Sequence, residues 1–225
     1  MVVPPQPDTT PALYLRPHLR SLPLPRSQPS ADVESRPYVA ARIASAADQH
    51  APSRVWHLDT LLSVLAAAGP GEGGAKPSVA YTALWLLTAT EVPSLPAAVT
   101  HKLFVVLLDA TAPSGPVATT AAAAASPEVA QTLLQTAVWA VGEYGRLLLD
   151  ALPPRSGGLE QISGPLGMAR DAATIVSTLR RVLALYYVAP ETRAWVLTAL
   201  VKLSAWLPSG GPAESARTAL ASYGT

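Results

Sequence analysis

Apolar residues recur at helical spacing from Pro37 to the end of the chain, and no segment alternates between apolar and polar residues as a half-buried strand does. In "RVWHLDTLLSVLAAA", for example, Val55, Leu58, Leu62 and Leu65 fall on one face of a helix. Segments of this kind are separated by stretches rich in proline and glycine, which end helices. The pattern predicts an all-α chain.

The periodicity predicts eight helices, of which the first is the weakest and the last is short. Ser53 is expected to cap the second helix and Ser78 the third, Pro96 to lie in the first turn of the fourth, and Pro190 to open the seventh. The expected spans are 38–50, 54–68, 79–91, about 96–110, about 127–149, 168–187, 191–207 and 212–222.

Consecutive pairs of these helices are spaced by roughly 40 residues, which is typical of HEAT and armadillo repeats. The spacing predicts an α-solenoid of stacked antiparallel helix pairs, and a compact helical bundle is the alternative. Nine of the 23 prolines lie within residues 1–37. Proline has no amide N–H and a fixed φ, so residues 1–36 are expected to form a disordered, proline-rich tail, and residues 37–225 the solenoid. Such a tail also suits a small proline-recognition domain.

Composition limits the partners that the chain can have. Hydrophobic residues make up 49% and charged residues 14%. Either part of the surface is buried against other proteins, or GC-rich coding has biased the composition. The net charge of +1 provides no field to attract nucleic acid or an anionic membrane, and the chain has no cysteine.

No local motif indicates catalysis or a cofactor. The loop at 69–76 lacks the order of a phosphate-binding loop, because Ala75 precedes Lys76 and Pro77 stands where Ser or Thr would bind magnesium. Asp59 follows His57 by two residues and so lies on another helical face. The other histidines, His18, His50 and His101, are scattered. We therefore expect no enzyme, no cofactor and no metal site.

The segment "AVWAVGEYGRLLL", residues 137–149, places two glycines in a helix, where each costs roughly 1 kcal/mol relative to alanine. Gly145 falls on an apolar stripe, and Gly142 lies beside Trp139 on a neighbouring face. Glycine would let an adjacent helix approach closely, with the Tyr144 ring packed nearby. A buried Glu143 would need an arginine or a helix N-terminus as partner. In the alternative interpretation, Gly145 ends the helix and Glu143 is solvated. The apolar stripe consists of Leu134, Val138, Val141, Gly145 and Leu148.

Three blocks in order resemble the trunk of the large clathrin-adaptor subunits, the adaptins. "WAVGEYG" (139–145) is similar to a signature of that family, and "HAPSRVWHLDTLLSVLAAAG" (50–69) resembles the preceding segment of its gamma type. "RAWVLTALVKLSAW" (193–206) is similar to the segment that follows, and "SYG" (222–224) matches the chain shortly beyond. The resemblance covers roughly residues 37–225.

The resemblance implies a HEAT-type trunk within a heterotetrameric coat adaptor that serves vesicle transport at the trans-Golgi network and endosomes. It implies as partners a beta-type adaptin, a medium (mu) chain and a small (sigma) chain, with clathrin and the membrane met only through the complex. The structural and interface residues that it suggests are Trp56, Trp139, Gly142, Glu143, Tyr144, Gly145, Trp195 and Lys202.

The chain departs from the family by lacking the longer trunk portion ahead of this region and the hinge and ear behind it, which favours a partial chain. Two other functions stay open. One is a HEAT-type scaffold of another adaptor class, such as the epsilon type, and the other is an enzyme with a site assembled in three dimensions.

Overall fold

The computed structural model describes residues 29–68, 76–91, 94–112, 131–152, 167–207 and 210–223. Every regular element within these ranges is helical, as predicted. The α-helices are α1 (Pro29–His50), α2 (Arg54–Ala67), α3 (Pro77–Thr88), α4 (Ser94–Ala110), α5 (Gln131–Tyr144), α6 (Ala172–Ala184), α7 (Pro190–Trp206) and α8 (Gly211–Tyr223). A 3₁₀ turn, Gly145–Leu149, continues α5.

The helix starts follow local chemistry. Ser53 caps α2, its hydroxyl accepting a hydrogen bond of 3.2 Å from the Trp56 N–H, as predicted. Pro190 opens α7 and Pro96 lies in the first turn of α4, also as predicted. The prediction that Ser78 caps α3 is wrong, because α3 begins one residue earlier at Pro77. Proline is favoured at a first helical position, where its missing N–H has no partner to lose.

The first helix is longer than predicted. Helix α1 begins at Pro29, inside the segment 1–36 that was expected to be a disordered tail, and it contains Pro37. Pro29 occupies the first turn, where proline is tolerated, and seven residues without proline separate it from Pro37. Residues 1–28, 69–75, 113–130 and 153–166 lie outside the described residues, and so does the predicted start of the fifth helix at about residue 127. The domain boundary otherwise stays a prediction.

Helix α6 is shorter than the predicted 168–187. Its start is fixed by Asp171, whose carboxylate accepts a hydrogen bond of 3.0 Å from the Thr174 N–H. Residues 168–170 run alongside the chain after α5 instead, and the Arg170 N–H donates to the Leu148 carbonyl at 2.7 Å. Residues 185–189 form the turn into α7. The Arg170 N–H and the Tyr187 carbonyl bond to Leu148 and to Gln131, which are distant in the sequence, and a helical period does not report such bonds.

Helices α2–α3, α4–α5 and α6–α7 form three hairpins, and α5 packs against both α4 and α7. The Arg54 guanidinium at the start of α2 donates to the Ala89 carbonyl at the end of α3, at 2.5 Å, so this pair is antiparallel. Helices α3, α5 and α7 form one row, which we call the central row, while α6 packs between α4 and α8. This arrangement is an α-solenoid of stacked helix pairs and confirms the predicted fold class.

One continuous apolar core runs through all eight helices of the described chain. On α2, Leu58, Leu62 and Leu65 are buried as predicted, and Val55 is partly buried. Helix α5 lies at the centre, and eight of its 14 residues are buried on several faces. A helix covered on this many sides can tolerate only small residues wherever a neighbour comes close.

Candidate functional site

The two glycines lie where α5 meets α7. A Cβ added to Gly142 would lie 3.0 Å from the Cβ and 3.1 Å from the Cα of Ala199. One added to Gly145 would lie 3.1 Å from Cδ2 of Leu203. Both distances are shorter than ordinary carbon–carbon contacts, so the predicted close approach of a neighbouring helix is confirmed.

Both interpretations of Gly145 hold. The α-helix ends at Tyr144 and a 3₁₀ turn begins at Gly145, so this glycine ends the regular helix while it packs against α7. The predicted stripe is buried throughout, with Leu134, Val138, Val141 and Leu148 all at 0% exposure. The glycine pair therefore serves packing at a helix end.

Glu143 forms an ion pair with Lys202 of α7, whose ammonium donates to the carboxylate. An arginine or a helix N-terminus was expected as its partner only for a buried Glu143, whereas the residue is exposed, as in the alternative interpretation. Helices α5 and α7 run in parallel, which places Lys202 beside Glu143 at the surface. The Lys202 side chain is 40% exposed and the Glu143 side chain is 34% exposed. A pair this exposed contributes at most about 1 kcal/mol to stability.

A groove of about 350 Å³ opens above the close contact between α5 and α7. Its lining includes the side chains of Trp139 and Trp195, the small residues Gly142 and Ala199, and Lys202. We call this feature the tryptophan groove. Both tryptophans are partly buried and pack against the core, so their rings are held in place.

Tyr144 supports one wall of the tryptophan groove. Its ring meets the Trp139 ring edge to face, with centroids 6.0 Å apart and planes at 72°. Burial raises the pKa of the Tyr144 phenol, and the neighbouring Glu143 carboxylate raises it further. The phenol therefore stays neutral across the physiological range, and the ring acts as a packing element.

The structure brings seven of the eight predicted residues together. Trp139, Gly142, Trp195 and Lys202 line the tryptophan groove, and Glu143, Tyr144 and Gly145 adjoin it. Trp56 lies elsewhere, on the first turn of α2, where its side chain is 45% exposed. Their common role as an interface stays a prediction.

Nothing in the sequence indicated a set of hydrogen bonds that joins Gln131 of α5 to the start of α7. The Gln131 amide oxygen accepts hydrogen bonds from the Ala189 N–H at 3.0 Å and from the Thr192 hydroxyl at 2.9 Å. The Gln131 amide nitrogen donates to the Tyr187 carbonyl at 2.9 Å. Gln135 donates to the same threonine at 3.1 Å. One glutamine therefore bonds both a carbonyl and an N–H of the α6–α7 turn. No spacing in the sequence indicates a pairing of residues 58 positions apart.

Two exposed aromatic residues of α3 were also missed. Tyr81 and Trp85 are each 61% exposed and lie one turn apart on the same helix. Tyr81 shares a small crevice with Gln135 of α5 and Trp195 of α7, which places it beside the tryptophan groove on the central row. Their spacing of four residues was the available signal, because it left both outside the apolar face of α3.

The histidines and acids considered for chemistry are dispersed among the described residues. His57 Nε2 lies 3.9 Å from an Asp48 carboxylate oxygen, whereas Asp59 pairs with Lys102. His101 Nε2 lies 3.2 Å from the Leu147 carbonyl oxygen. His50 ends α1, and His18 lies outside the described residues. No group of three or more potential metal ligands occurs within the described segments.

The described segments also contain no helix with the length and apolar character needed to cross a bilayer. The fold and the groove together define a class: a helical-repeat scaffold whose distinctive surface is aromatic. No family model matches the chain.

Known proteins are nevertheless similar in sequence. The "AP-1 complex subunit gamma-like 2" of Homo sapiens is 31% identical over 177 residues, which is 73% of this chain and 17% of that protein. The protein of the same name from Mus musculus is 31% identical over 167 residues, with the same coverage. The "AP-1 complex subunit gamma" of Dictyostelium discoideum is 25% identical over 77% of this chain and 16% of its own length. The chain is therefore gamma-adaptin-like, and it spans about a sixth of the length of these relatives.

Proposed function

We propose that the chain acts as a segment of the trunk of a clathrin-adaptor large subunit. The observation that carries the proposal is the similarity to gamma subunits over 73% of the chain. In this role the chain is a scaffold that makes and breaks no covalent bond. It would serve vesicle transport at the trans-Golgi network and endosomes, on the cytoplasmic face of the membrane and through the complex.

The proposed partners are a beta-type adaptin, a medium (mu) chain and a small (sigma) chain. We place their contact on the central row, because its solvent face carries Tyr81 and Trp85, each 61% exposed. Large aromatic rings left in water lower solubility and are enriched where proteins meet. Trp139 and Trp195 continue this aromatic surface onto α5 and α7.

Coexpression of the chain with beta, mu and sigma subunits, followed by purification through a tag on this chain, tests the proposal. The expected result is recovery of the other subunits in fixed proportion. A folded chain that recovers none of them would refute it. Recovery of the beta-type subunit of another adaptor class would instead identify the scaffold as belonging to that class, such as the epsilon type.

Surface variants test the location of the contact. Tyr81→Ser combined with Trp85→Ser should reduce recovery at least tenfold, because two exposed rings leave the surface without altering the core. Tyr38→Ser is the matched control, since Tyr38 is 64% exposed and lies on α1, which is not a helix of the central row. Equal recovery from both variants would contradict the central row as the contact surface.

A further inference from the structure

The tryptophan groove is a nearly uncharged surface. Its lining consists of apolar and small residues together with Thr198 and Lys202. Lys202 is the only charged residue of this lining, and its ammonium donates to the Glu143 carboxylate, so the charge is already balanced. The Thr198 hydroxyl donates to the Ala194 carbonyl of its own helix at 2.9 Å. The ammonium and the hydroxyl of the groove therefore have partners before anything binds.

The helices around the groove add little charge. Helix α3 carries no charged side chain, and Glu143 is the only one on α5. On α7 the remaining charges are Glu191 in the first turn and Arg193, and neither lines the groove. A charged group of a partner placed in the groove would therefore lose its water without meeting a free counter-charge, which is strongly unfavourable.

The groove is continuous with the exposed aromatic residues of α3. Trp195 lines both the tryptophan groove and the crevice that it shares with Tyr81. Trp85 follows Tyr81 by one turn, and both are exposed. The central row thus presents exposed aromatic rings beside a cleft. In protein interfaces, such clefts typically receive an anchoring side chain from the partner.

The size of the groove suits one anchoring side chain. Its volume is about 350 Å³, and Trp139 and Trp195 are partly buried against the core, so their rings are held in place. Gly142 and Ala199 contribute no long side chain to the lining. A leucine, methionine or phenylalanine side chain fits such a space, and contact with the indole rings buries its apolar surface.

On the basis of the proposed function, we infer that the partner subunit on the central row makes its contact through an uncharged, apolar face. This face inserts one large apolar side chain into the tryptophan groove. The balanced charge of the groove selects against acidic and basic segments. Assembly at this surface should then depend little on salt, because screening acts on pairs of charges.

Thr198 allows a test at the groove itself. It is exposed, so its replacement leaves the core intact. Thr198→Phe should fill the groove and reduce recovery of the partner subunits at least tenfold, whereas Thr198→Ala keeps the groove open and should leave recovery unchanged. Thr218→Phe is the matched control, because Thr218 of α8 is also exposed and also donates to the carbonyl one turn earlier, at 2.8 Å. Far-UV circular dichroism checks that every variant is folded.

Charged variants at the same position identify the chemistry of the partner. Thr198→Asp and Thr198→Lys should each reduce recovery at least tenfold, because neither sign of charge finds a counter-charge on an uncharged face. If one sign weakened assembly and the other strengthened it, the partner face would be charged and the inference would be overturned. A fall in recovery of more than about tenfold between about 0.1 and about 0.5 M NaCl would overturn it as well.

The outcomes separate this inference from the proposed function. A parent chain that recovers no partner subunit refutes both together. If the parent and Thr198→Phe recover the subunits equally, only the inference about the groove is refuted. Light scattering of the isolated chain addresses the other possible occupant, a second copy. A dimer that Thr198→Phe converts to a monomer would place another copy of this chain in the groove and overturn the inference.

Discussion

Replacing Gly142 with alanine would place a methyl group 3.0 Å from the Cβ and 3.1 Å from the Cα of Ala199. Carbon atoms attract each other best at about 3.5–4.0 Å. The Ala199 backbone cannot rotate away as a long side chain could, so α5 and α7 must move apart by about 0.5 Å. That movement loosens the packing of Trp139 and Leu203 along the same interface.

Two opposing effects set the magnitude. Overpacking a well-filled interface costs about 1–3 kcal/mol, whereas alanine is favoured over glycine in a helix by about 1 kcal/mol. We expect Gly142→Ala to lower the free energy of unfolding by about 1 kcal/mol. In a chain of this size the loss lowers Tm by about 2–4 °C.

Thermal and urea unfolding followed by far-UV circular dichroism measure the effect. Gly211→Ala in α8 is the matched control, because no atom lies within 4 Å of an added Cβ there and stability should not fall. The double variant Gly142→Ala with Ala199→Gly moves the methyl group across the interface and should be more stable than the sum of the single changes predicts. A gain of about 1 kcal/mol from Gly142→Ala alone would refute the close packing.

Three further changes test other parts of the structure. Gln131→Leu should lower the free energy of unfolding by about 2 kcal/mol, because it removes the oxygen that accepts from the buried Thr192 hydroxyl and from the Ala189 N–H. Urea unfolding measures this, and an unchanged midpoint would contradict it. Asp171→Ala should lower the free energy of unfolding by about 1 kcal/mol at neutral pH, because the cap of α6 is lost. Hydrogen bonds from Thr174 lower the pKa of this carboxyl. The parent should therefore lose its advantage in stability over the variant only as pH falls below about 4. Burial raises the pKa of Tyr144, so the stability that its neutral phenol contributes is present below about pH 10 and is lost as pH rises through the folded pKa. In a series of Tm values measured against pH, Tyr144→Phe should therefore lose less stability than the parent at alkaline pH. A parallel decline in both proteins would oppose this prediction.

The success of sequence reasoning follows the range of the interactions. Ser53 and Pro190 act on residues within one turn, and their helix starts were predicted correctly. The helix starting at Pro29 was missed because proline content dominated the interpretation of residues 1–36. The start of α6 moved because Arg170 bonds to Leu148, across a segment that the sequence does not pair.

The site was predictable in part for the same reason. The glycines and Trp139 stand out within seven residues, so their segment could be identified directly. The partner of Glu143 lies 59 residues away, and Gln131 reaches the turn before α7 over 58 residues. Which side chains meet over such separations depends on the parallel alignment of α5 with α7, and no local pattern encodes that alignment.

By itself, the sequence determined that the chain is helical, where its main helices lie, and that α5 must meet a close neighbour, because periodicity, capping and the lack of a Cβ are local properties. Only the tertiary structure decided which neighbour that is and what surface results. The stacking of α5 on α7 pairs Gly142 with Ala199, joins Glu143 to Lys202 and opens the groove between two tryptophans. Those contacts arise from the packing of whole helices, whose relative position is set by the entire core.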